Sequence, residues 1–423
     1  MKLPNAAGYS LGICTAVVML AACSSTPSIT PMQGTGPAQD PNRVSRFVAP
    51  EIRPARSYKT LYRFAGPPGD GSDPSGALIN VQGAFYGTTA SGGSACPNYG
   101  CGTVYRVSKS GVEKVLYSFT NSPDGNAPVA PLTHVNGVFY GTTVYGGSGC
   151  SNGCGTVYRV NRNGVEKVLY RFKGSPDGEA PGAGLIDVNG TLYGTTSKGG
   201  TSDNGTVFSI STTGAEKVLY SFANLPDGAY PSAGLIEVNG ELYGTTTFGG
   251  SSTCGVTSAP GCGIVFRIST AGSEDVLYRF EGNTDGAFPE AGLTDLNGTL
   301  YGTTDDNGGY FVGFGVVFSI STGGAEKVLY QFLGGQDGAN PDTGLIAVNG
   351  KLYGTTDYGG CFSSPSCGVG TIYEVSTTGV EKVLHRFGYD YAASPSSALT
   401  NLKGTLYGTT GGYYNGTVFT LSR

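Results

Sequence analysis

The sequence predicts an all-β protein, a seven-bladed β-propeller of four-stranded antiparallel blades in which an N-terminal strand closes the last blade. The main observation is a sequence repeat with a period near 50 residues, which is typical of propellers and other repeat arrays. The composition agrees, because 72 Gly, 27 Tyr and 19 Phe with only 13% charged residues describe a turn-rich, aromatic-rich chain. The motif Tyr-Gly-Thr-Thr begins at Tyr86, Tyr140, Tyr193, Tyr243, Tyr301, Tyr353 and Tyr407.

The third repeat shows how each period divides into four strands. Residues 184–188 form an apolar run, an Asn-Gly hairpin signal follows, and residues 192–196 return as the second strand. After a glycine-rich loop, residues 206–210 alternate as a third strand and residues 216–222 form the fourth. We name these strands A, B, C and D. Four antiparallel strands per repeat are typical of a propeller blade.

The two ends of the repeat region are predicted to complete one blade together. Residues 58–64 match a D strand, but no A, B or C strand precedes them. The C-terminal end supplies the three missing strands, at residues 398–402, 406–410 and 417–421. Pairing the two ends closes the ring without a free sheet edge. A register in which every blade is contiguous in sequence is the alternative.

Residues 1–22 are predicted to be a lipoprotein signal peptide. The apolar stretch from Leu11 to Ala22 is too short to span a bilayer. It ends in Leu-Ala-Ala-Cys, which resembles the lipobox of bacterial lipoproteins, so we expect Cys23 to carry the lipid. An ordinary secretory signal that happens to end near a cysteine is the alternative.

Residues 23–57 are expected to form a flexible tether between the lipid-attachment cysteine and the propeller of residues 58–423. The segment is rich in Ser, Thr and Pro and has few large apolar side chains, so it has little to bury. In the lipoprotein sorting scheme that the lipobox resemblance implies, Ser24 directly after the cysteine favours the outer membrane. The sequence leaves the periplasmic and the outer side open.

Eight cysteines fall into close pairs that share one location, the loop between strands B and C. An exported protein meets an oxidising compartment, so the pairs are predicted to be disulfides. Metal binding is the weaker interpretation, because each loop offers only two thiolates where zinc prefers four ligands. The predicted pairs are Cys96 with Cys101, Cys150 with Cys154, Cys254 with Cys262, and Cys361 with Cys367.

The predicted topology places the long B-to-C and D-to-A loops at one end of the ring, the loop face, and the short A-to-B and C-to-D turns at the other, the turn face. Binding residues concentrate on variable loops above a rigid scaffold, so a ligand site is expected on the loop face. Aromatic side chains in these loops suit stacking on sugars or contact with a protein. An alternative is that they cap the loops against their own disulfides. The ligand-binding candidates are Tyr145, Phe248, Tyr358, Tyr310 and Tyr413.

Few residues carry the signature of catalysis, metal binding or cofactor binding. Asp305-Asp306 is the strongest local acidic cluster, whereas the recurring Asp-Gly pairs of the D-to-A loops are explained by turn geometry. The two histidines, His134 and His385, occupy repeat positions. We therefore predict no catalytic residue, no metal ligand and no cofactor. A net charge of −5 without a run of basic residues argues against a nucleic-acid partner.

The sevenfold run of Leu-Tyr-Gly-Thr-Thr, Gly-Gly, Gly-Thr-Val-Phe and Glu-Lys-Val-Leu-Tyr-x-Phe over residues 58–423 resembles the bacterial choice-of-anchor tandem-repeat proteins of the GloVer type. The resemblance implies exported proteins attached to the cell envelope by varying anchors, and it brings no catalytic residues. We expect a monomeric, non-catalytic binding or scaffold protein, held at the membrane through its lipid only, that recognises an envelope glycan or protein. An envelope hydrolase or lyase with a site at the central channel is the alternative, and titratable side chains converging at the channel mouth would favour it.

Overall fold

The computed structural model describes residues 57–151, 153–251, 254, 260–282, 284–306, 313–361, 368–388, 393–411 and 414–422. Seven four-stranded antiparallel sheets form a ring, which confirms the predicted seven-bladed β-propeller. The predicted signal peptide, Cys23 and all of the predicted tether except Ser57 lie outside the described residues. Among the described residues, no helix is long and apolar enough to cross a bilayer.

The inner half of each blade is a hairpin of strands A and B. The A strands are Ile79–Val81, Thr133–Val135, Ile186–Val188, Ile236–Val238, Thr294–Leu296, Ile346–Val348 and Thr400–Leu402. The B strands are Ala84–Thr89, Val138–Thr143, Thr191–Thr196, Glu241–Thr246, Thr299–Thr304, Lys351–Thr356 and Thr405–Thr410.

The outer half of each blade consists of strands C and D. The C strands are Thr103–Ser108, Thr156–Asn161, Thr206–Ser211, Ile264–Ser269, Val316–Ser321, Thr371–Ser376 and Thr417–Ser422. The D strands of blades 1 to 6 are Glu113–Ser118, Glu166–Arg171, Glu216–Ser221, Glu274–Arg279, Glu326–Gln331 and Glu381–Arg386.

Blade 7 takes its D strand from the beginning of the propeller, as predicted. Tyr58–Arg63 pairs antiparallel with Thr417–Ser422, with Tyr58 opposite Leu421 and Arg63 opposite Thr417. The N-terminal strand thus covers the outer edge of the C-terminal one, and the first and last strands of the ring hold each other in place. The alternative register with contiguous blades is excluded.

The A strands are shorter than the sequence predicts. In blade 3 the strand covers Ile186–Val188, whereas an apolar run from residue 184 was expected to pair throughout. A strands of neighbouring blades lie side by side around the axis, where the sheets are closest together. Gly184 and Leu185 leave the sheet at this point and line the central channel instead.

The hydrophobic core lies between blades, with one cluster of buried side chains at each of the seven interfaces. Between blades 3 and 4, for example, Tyr193 and Val207 of one sheet pack against Leu242 and Phe266 of the next. Burying a large apolar side chain contributes about 1.5–3 kcal/mol, so inter-blade packing is the main stabilising term. This arrangement accounts for the regular placement of Tyr and Phe in the repeat motifs.

The Tyr-Gly-Thr-Thr motif holds five of the blades to their neighbours. In blades 1 to 5 the first Thr hydroxyl donates to a carbonyl oxygen of the following blade, as Thr88 does to Ala130 at 2.8 Å. In blades 6 and 7 it bonds instead to Thr343 and Ser397 of the same blade. The second Thr shares a hydrogen bond with the first residue of strand C, as between Thr89 and Thr103. The glycine leaves room for an aromatic ring of strand C, because a Cβ at Gly194 would lie 2.8 Å from the Phe208 ring.

The Leu-Tyr-x-Phe motif is joined to the Asp-Gly motif of the next loop. In six D strands the Tyr hydroxyl donates to the Asp carboxylate seven or eight residues later, at 2.5–3.0 Å. The same carboxylate accepts a backbone N–H of the loop, as Asp177 does from Lys173. These aspartates therefore shape the D-to-A loops. The pairs are Tyr62–Asp70, Tyr117–Asp124, Tyr170–Asp177, Tyr220–Asp227, Tyr278–Asp285 and Tyr330–Asp337.

Candidate functional site

On the loop face, the D-to-A loop that enters a blade is held against the B-to-C loop of the same blade. In blades 1, 3 and 4 the two loops form a two-residue ladder, such as Gly228–Ala229 with Phe248–Gly249. In blades 2, 5 and 6 they meet at a single bridge, such as Ala287 with Asp306. Each blade thus presents a small ribbon beside the channel, and the ribbon fixes where the loop side chains emerge.

A repeated backbone unit lies closer to the channel. The residue before the D-to-A proline has a positive φ, and its carbonyl accepts the N–H of the residue that follows the Thr-Thr pair. In every blade this hydrogen bond joins the D-to-A loop to the B-to-C loop, whereas the side chains of the two joined residues differ from blade to blade. The joined residues are Asp73 with Ala90, Ala127 with Val144, Ala180 with Ser197, Tyr230 with Thr247, Phe288 with Asp305, Asn340 with Asp357, and Ser394 with Gly411.

The central channel has a volume of about 440 Å³ and is lined by residues of all seven blades. The residue directly after each D-to-A proline lies in this lining. These residues are small or apolar in most blades and acidic in blades 5 and 6. In order from blade 1 to blade 7, they are Ser75, Val129, Gly182, Ser232, Glu290, Asp342 and Ser396.

Four carboxyl groups of blades 5 and 6 face one another at the channel mouth, and we call them the acidic sector. Glu290 and Asp342 line the channel. Asp305 and Asp357 follow the Thr-Thr pairs of the same two blades, and both lie close enough to raise the pKa of Asp342. The acidic sector is therefore one electrostatic unit built from four separate loops.

The crowding of these groups disfavours their ionised forms. Burial raises the pKa of Asp342 to about 8, although its side chain is open to the channel on one side, and Asp357 and Asp305 act in the same direction. Burial likewise raises the pKa of Asp305, Asp357 and Glu290. The Asn340 amide donates to Asp305 Oδ1 at 3.1 Å and so opposes the shift there. Of the four carboxyl groups, Asp342 is thus the one whose ionised form is disfavoured most strongly.

Three aromatic rings adjoin the acidic sector, and we call them the aromatic sector. Phe248 lies edge-on to Tyr230 and packs against Phe288, with ring centroids 5.6 and 5.5 Å away. Phe288 connects the two sectors, because its carbonyl accepts the N–H of Asp305. All three rings are half-buried, so each presents part of its surface to the loop face.

The predicted aromatic candidates are not brought together in one cluster. Tyr145, Phe248 and Tyr358 belong to blades 2, 4 and 6, with a whole blade between each pair. Tyr145 and Tyr358 are half exposed, and Tyr145 borders a separate hollow beside Cys150. Phe248 belongs to the aromatic sector. Its half-buried position agrees both with stacking on a ligand and with capping of its own loop. Tyr310 and Tyr413 lie outside the described residues.

Three of the predicted disulfides are present in the B-to-C loops: Cys96–Cys101, Cys150–Cys154 and Cys254–Cys262. Cys367 of the fourth predicted pair lies outside the described residues. Glu179 lies near Cys150 and Cys154, but the two sulfurs are bonded to each other and are not thiolate ligands. The three disulfides close short rings within the B-to-C loops and so restrict the conformations of those loops.

Sequence reasoning missed Glu290, Asp342 and Asp357, and selected the adjacent pair Asp305-Asp306 instead. Only Asp305 of that pair joins the acidic sector, whereas Asp306 takes part in the bridge with Ala287. The useful signal was the position directly after the D-to-A proline. Aligning the seven repeats on that proline isolates two acidic residues, in blades 5 and 6, among otherwise uncharged ones.

Solved structures that resemble this chain in fold differ widely from it in sequence. An oligogalacturonate lyase in complex with manganese has a TM-score of 0.51 at 9% identity, covering 87% of this chain and 96% of the lyase. A puromycin hydrolase has a TM-score of 0.50 at 11% identity, covering 80% of this chain and 50% of that one. A gluconolactonase from Xanthomonas campestris has a TM-score of 0.42 at 13% identity, covering 87% and 89%. At these identities the likeness concerns the fold alone.

No curated protein sequence matches this chain significantly. The sequence profile of the Gloeobacter/Verrucomicrobia repeat matches residues 50–151, 148–364 and 256–423, which together span the propeller. The match agrees with the resemblance carried by the repeat motifs. The chain belongs to the Gloeobacter/Verrucomicrobia repeat family.

Proposed function

We propose that this protein is an envelope binding protein, attached to the membrane by a lipid on Cys23, that recognises a glycan or protein at the loop-face mouth of its channel. The observation that carries the proposal is the contrast between constant and variable positions in the seven repeats. Residues that build the blades recur in every repeat, whereas residues around the channel mouth differ from blade to blade.

The variable positions form a surface with distinct chemical regions. The acidic sector occupies blades 5 and 6, and the aromatic sector adjoins it on blades 4 and 5. Around blades 2 and 3 the lining is small and apolar, with Val129 and Gly182 at the mouth. A ligand with apolar or ring faces and polar or cationic groups matches such a surface, since rings stack on aromatic side chains and carboxylates accept hydrogen bonds.

The test is binding of the soluble propeller to panels of envelope glycans and of envelope proteins. Two variants address the site, Glu290→Gln with Asp342→Asn, and Tyr145→Ala with Phe248→Ala and Tyr358→Ala. A matched control, Glu237→Gln with Asp295→Asn, makes the same chemical change on the turn face. We expect saturable binding that the acidic-sector variant weakens at least tenfold and the control leaves unchanged.

The two variants separate different versions of the site. Loss of binding only in the aromatic variant places recognition on the aromatic side chains of the loop face and not on the acidic sector. Equal loss in the turn-face control, or no saturable ligand in either panel, contradicts the proposal.

An envelope hydrolase or lyase acting at the channel is the second candidate, and the cluster of carboxyl groups with the raised pKa of Asp342 favours it. Acid–base catalysis needs one carboxyl group that stays protonated near neutral pH beside another that is ionised. Asp342, whose pKa is raised to about 8 by burial and by its acidic neighbours, suits the first role, and the proposal assigns the second to the adjoining Asp357.

This candidate is tested by incubating the protein with envelope polysaccharides and measuring released reducing ends and unsaturated products. An enzyme of this kind loses its activity in Asp342→Asn while retaining ligand binding. Absence of turnover with every ligand that binds supports the non-catalytic proposal.

A further inference from the structure

The turn face carries an uneven distribution of charge. The first residue of the C-to-D turn is Lys109 in blade 1 and Arg162 in blade 2, but Thr in blades 3 to 6. The A-to-B turn has Lys403 in blade 7, where the other blades have Asn or Gln. All three cations are exposed, and within the described part of the chain none has a carboxylate at ion-pair distance. Blades 7, 1 and 2 therefore share a basic edge on this face.

The opposite part of the same face is acidic. The middle residue of strand A is an exposed carboxylate in blades 3, 4 and 5, namely Asp187, Glu237 and Asp295. In blades 7, 1 and 2 the same position is uncharged Asn or His134, whose pKa is lowered by burial and by Arg162. The turn face is thus divided into a basic and an acidic side.

Exposed valines occur at the tips of the turns on the basic side. Val112 and Val165 follow the turn glycines of blades 1 and 2 and are 69% and 65% exposed. The equivalent Val380 belongs to blade 6, and its turn packs on blade 5. The equivalent residues of blades 3 and 5 are Ala215 and Ala325. Large apolar side chains this exposed at the tips of tight turns make few contacts within the fold, and those of blades 1 and 2 lie next to the basic edge.

The chain also enters the propeller on this side. Ser57 precedes the D strand of blade 7 and donates its N–H to Ser422 Oγ at 2.9 Å. The C-to-D turn of blade 1 packs directly on that strand, leaving no room for a Cβ at Gly111 beside the Leu61 carbonyl. Arg162 Nη1 donates to Gln82 Oε1 at 2.8 Å, which ties the blade 2 turn to blade 1. The entry point thus lies among the basic turns.

We propose that the basic edge of the turn face, with the valine tips of blades 1 and 2, docks on the anionic lipid headgroups of the membrane that holds the anchor. The loop-face channel mouth then points away from the bilayer. Basic residues and partly inserted apolar tips are the combination that binds an anionic lipid surface. A flexible coil of the length predicted for the tether, residues 23–57, has a reach of about 30 Å, which would hold the anchored propeller at an effective concentration near millimolar. At such an effective concentration, even a patch with weak affinity for lipid headgroups is sufficient for docking.

The docking proposal rests on the proposed lipid anchor for its setting but is tested without it. Pro54–Arg423 forms one compact unit that contains every strand of the seven sheets, so the propeller is studied alone. Its binding is measured by flotation with vesicles of phosphatidylglycerol and phosphatidylcholine at low salt. We expect Lys109→Gln with Arg162→Gln and Lys403→Gln to lower the apparent affinity about 100-fold, because each basic residue near the surface contributes roughly fivefold.

A matched control removes the same charge elsewhere. Lys198→Gln with Lys217→Gln and Lys327→Gln neutralises three exposed lysines of blades 3 and 5. We expect this variant to bind within about threefold of the wild type, since those lysines lie outside the basic edge. Equal losses in the two triple variants, or no wild-type binding to anionic vesicles, overturn the proposal.

A second measurement reports orientation. An environment-sensitive dye on Val165→Cys is expected to shift its emission to the blue on anionic vesicles but not on phosphatidylcholine alone, whereas the same dye on Ala215→Cys stays unshifted. An equal shift at both positions contradicts docking through this edge. Failure of the anchor itself is a separate result, detected as an unlipidated mature N-terminus by mass spectrometry of the native protein.

Discussion

Raising the pH from 5 to 8 should destabilise this propeller, because six glutamates at the blade interfaces hold protons more tightly in the folded state. Each begins a D strand and faces the Tyr of the preceding blade's D strand. Burial chiefly, and then the aspartate hydrogen-bonded to that Tyr, raise the pKa from 4.5 to about 7. The six residues are Glu113, Glu166, Glu216, Glu274, Glu326 and Glu381.

The hydrogen-bonding pattern explains why the protonated form fits. The Tyr170 hydroxyl donates its only proton to Asp177, so it has none to offer Glu216. Glu216 Oε1 is buried without a hydrogen-bond partner, and the same oxygen is without one in the other five glutamates. A protonated glutamate can donate a hydrogen bond to the Tyr oxygen. An ionised glutamate is instead repelled by the negative charge of the Asp to which the Tyr is hydrogen-bonded.

The sign follows from proton binding in the two states. Between pH 4.5 and 7 the folded protein keeps protons that the unfolded chain has released, so the free energy of unfolding falls as the pH rises through this window. Taken in full, the rise to about 7 corresponds to roughly 3 kcal/mol per group. These side chains are half-exposed, so we reduce the figure for solvent screening to about 0.5–1 kcal/mol each.

Six groups together then lower the free energy of unfolding by about 3–6 kcal/mol, which corresponds to a fall in Tm of about 4–8 °C for a domain of this size. The assay is thermal unfolding at pH 5 and pH 8 of the wild type and of Glu216→Gln with Glu274→Gln. We expect the variant to match the wild type at pH 5 and to gain about 1–2 kcal/mol at pH 8. The exposed Glu281→Gln serves as control and should change neither value.

The reasoning is refuted if the wild type is equally stable or more stable at pH 8 than at pH 5. It is also refuted if the double variant keeps the wild-type dependence on pH. Asp342, whose pKa is also raised, contributes in the same direction as the six glutamates. The difference between wild type and variant therefore isolates the two interface residues.

Three further predictions concern stability. Tyr158→Phe should raise the free energy of unfolding by about 1 kcal/mol in urea, because its buried hydroxyl has no partner among the described residues; a clear loss would reveal one. Gly194→Ala should lower it by about 2–4 kcal/mol, since the added methyl group meets a buried ring, whereas Gly388→Ala, with open space, should be neutral; similar effects of both would contradict the packing argument. Deleting Tyr58–Arg63 should expose the edge of Thr417–Ser422 and cause association detected by light scattering, so a stable monomeric deletion variant would refute the closing role of this strand.

The fold was predictable because its signals are local and repeated. Asn-Gly turns, alternating strands and a constant period define four strands per blade, and the surplus D strand at one end matches the deficit at the other. The A strand of blade 3 was predicted too long because apolar residues such as Leu185 serve equally in a strand and in a channel lining. Sequence pattern alone does not separate these two kinds of burial.

The acidic sector was not predictable from local sequence. Glu290 and Asp305 lie on two loops of one blade, and Asp342 and Asp357 on the corresponding loops of the next. They meet only because both loops of a blade rise beside the channel and neighbouring blades adjoin there. Asp305-Asp306 attracted attention by adjacency, but neighbouring residues of an extended ribbon point to opposite sides.

The interface between blades 6 and 7 differs from the other six because both residues of the Tyr–Glu contact are replaced there. Where the other D strands begin with Glu, blade 7 begins with Tyr58, and where the preceding blade would supply Tyr, blade 6 has His385. The two rings stack in parallel, with centroids 4.1 Å apart and an interplanar angle of 3°. Both members of the pair are exchanged together, and only at the interface completed by the N-terminal strand. The stacked rings occupy the place of the half-buried glutamate found at the other six interfaces, so the interface that closes the ring has no glutamate with a raised pKa at this position.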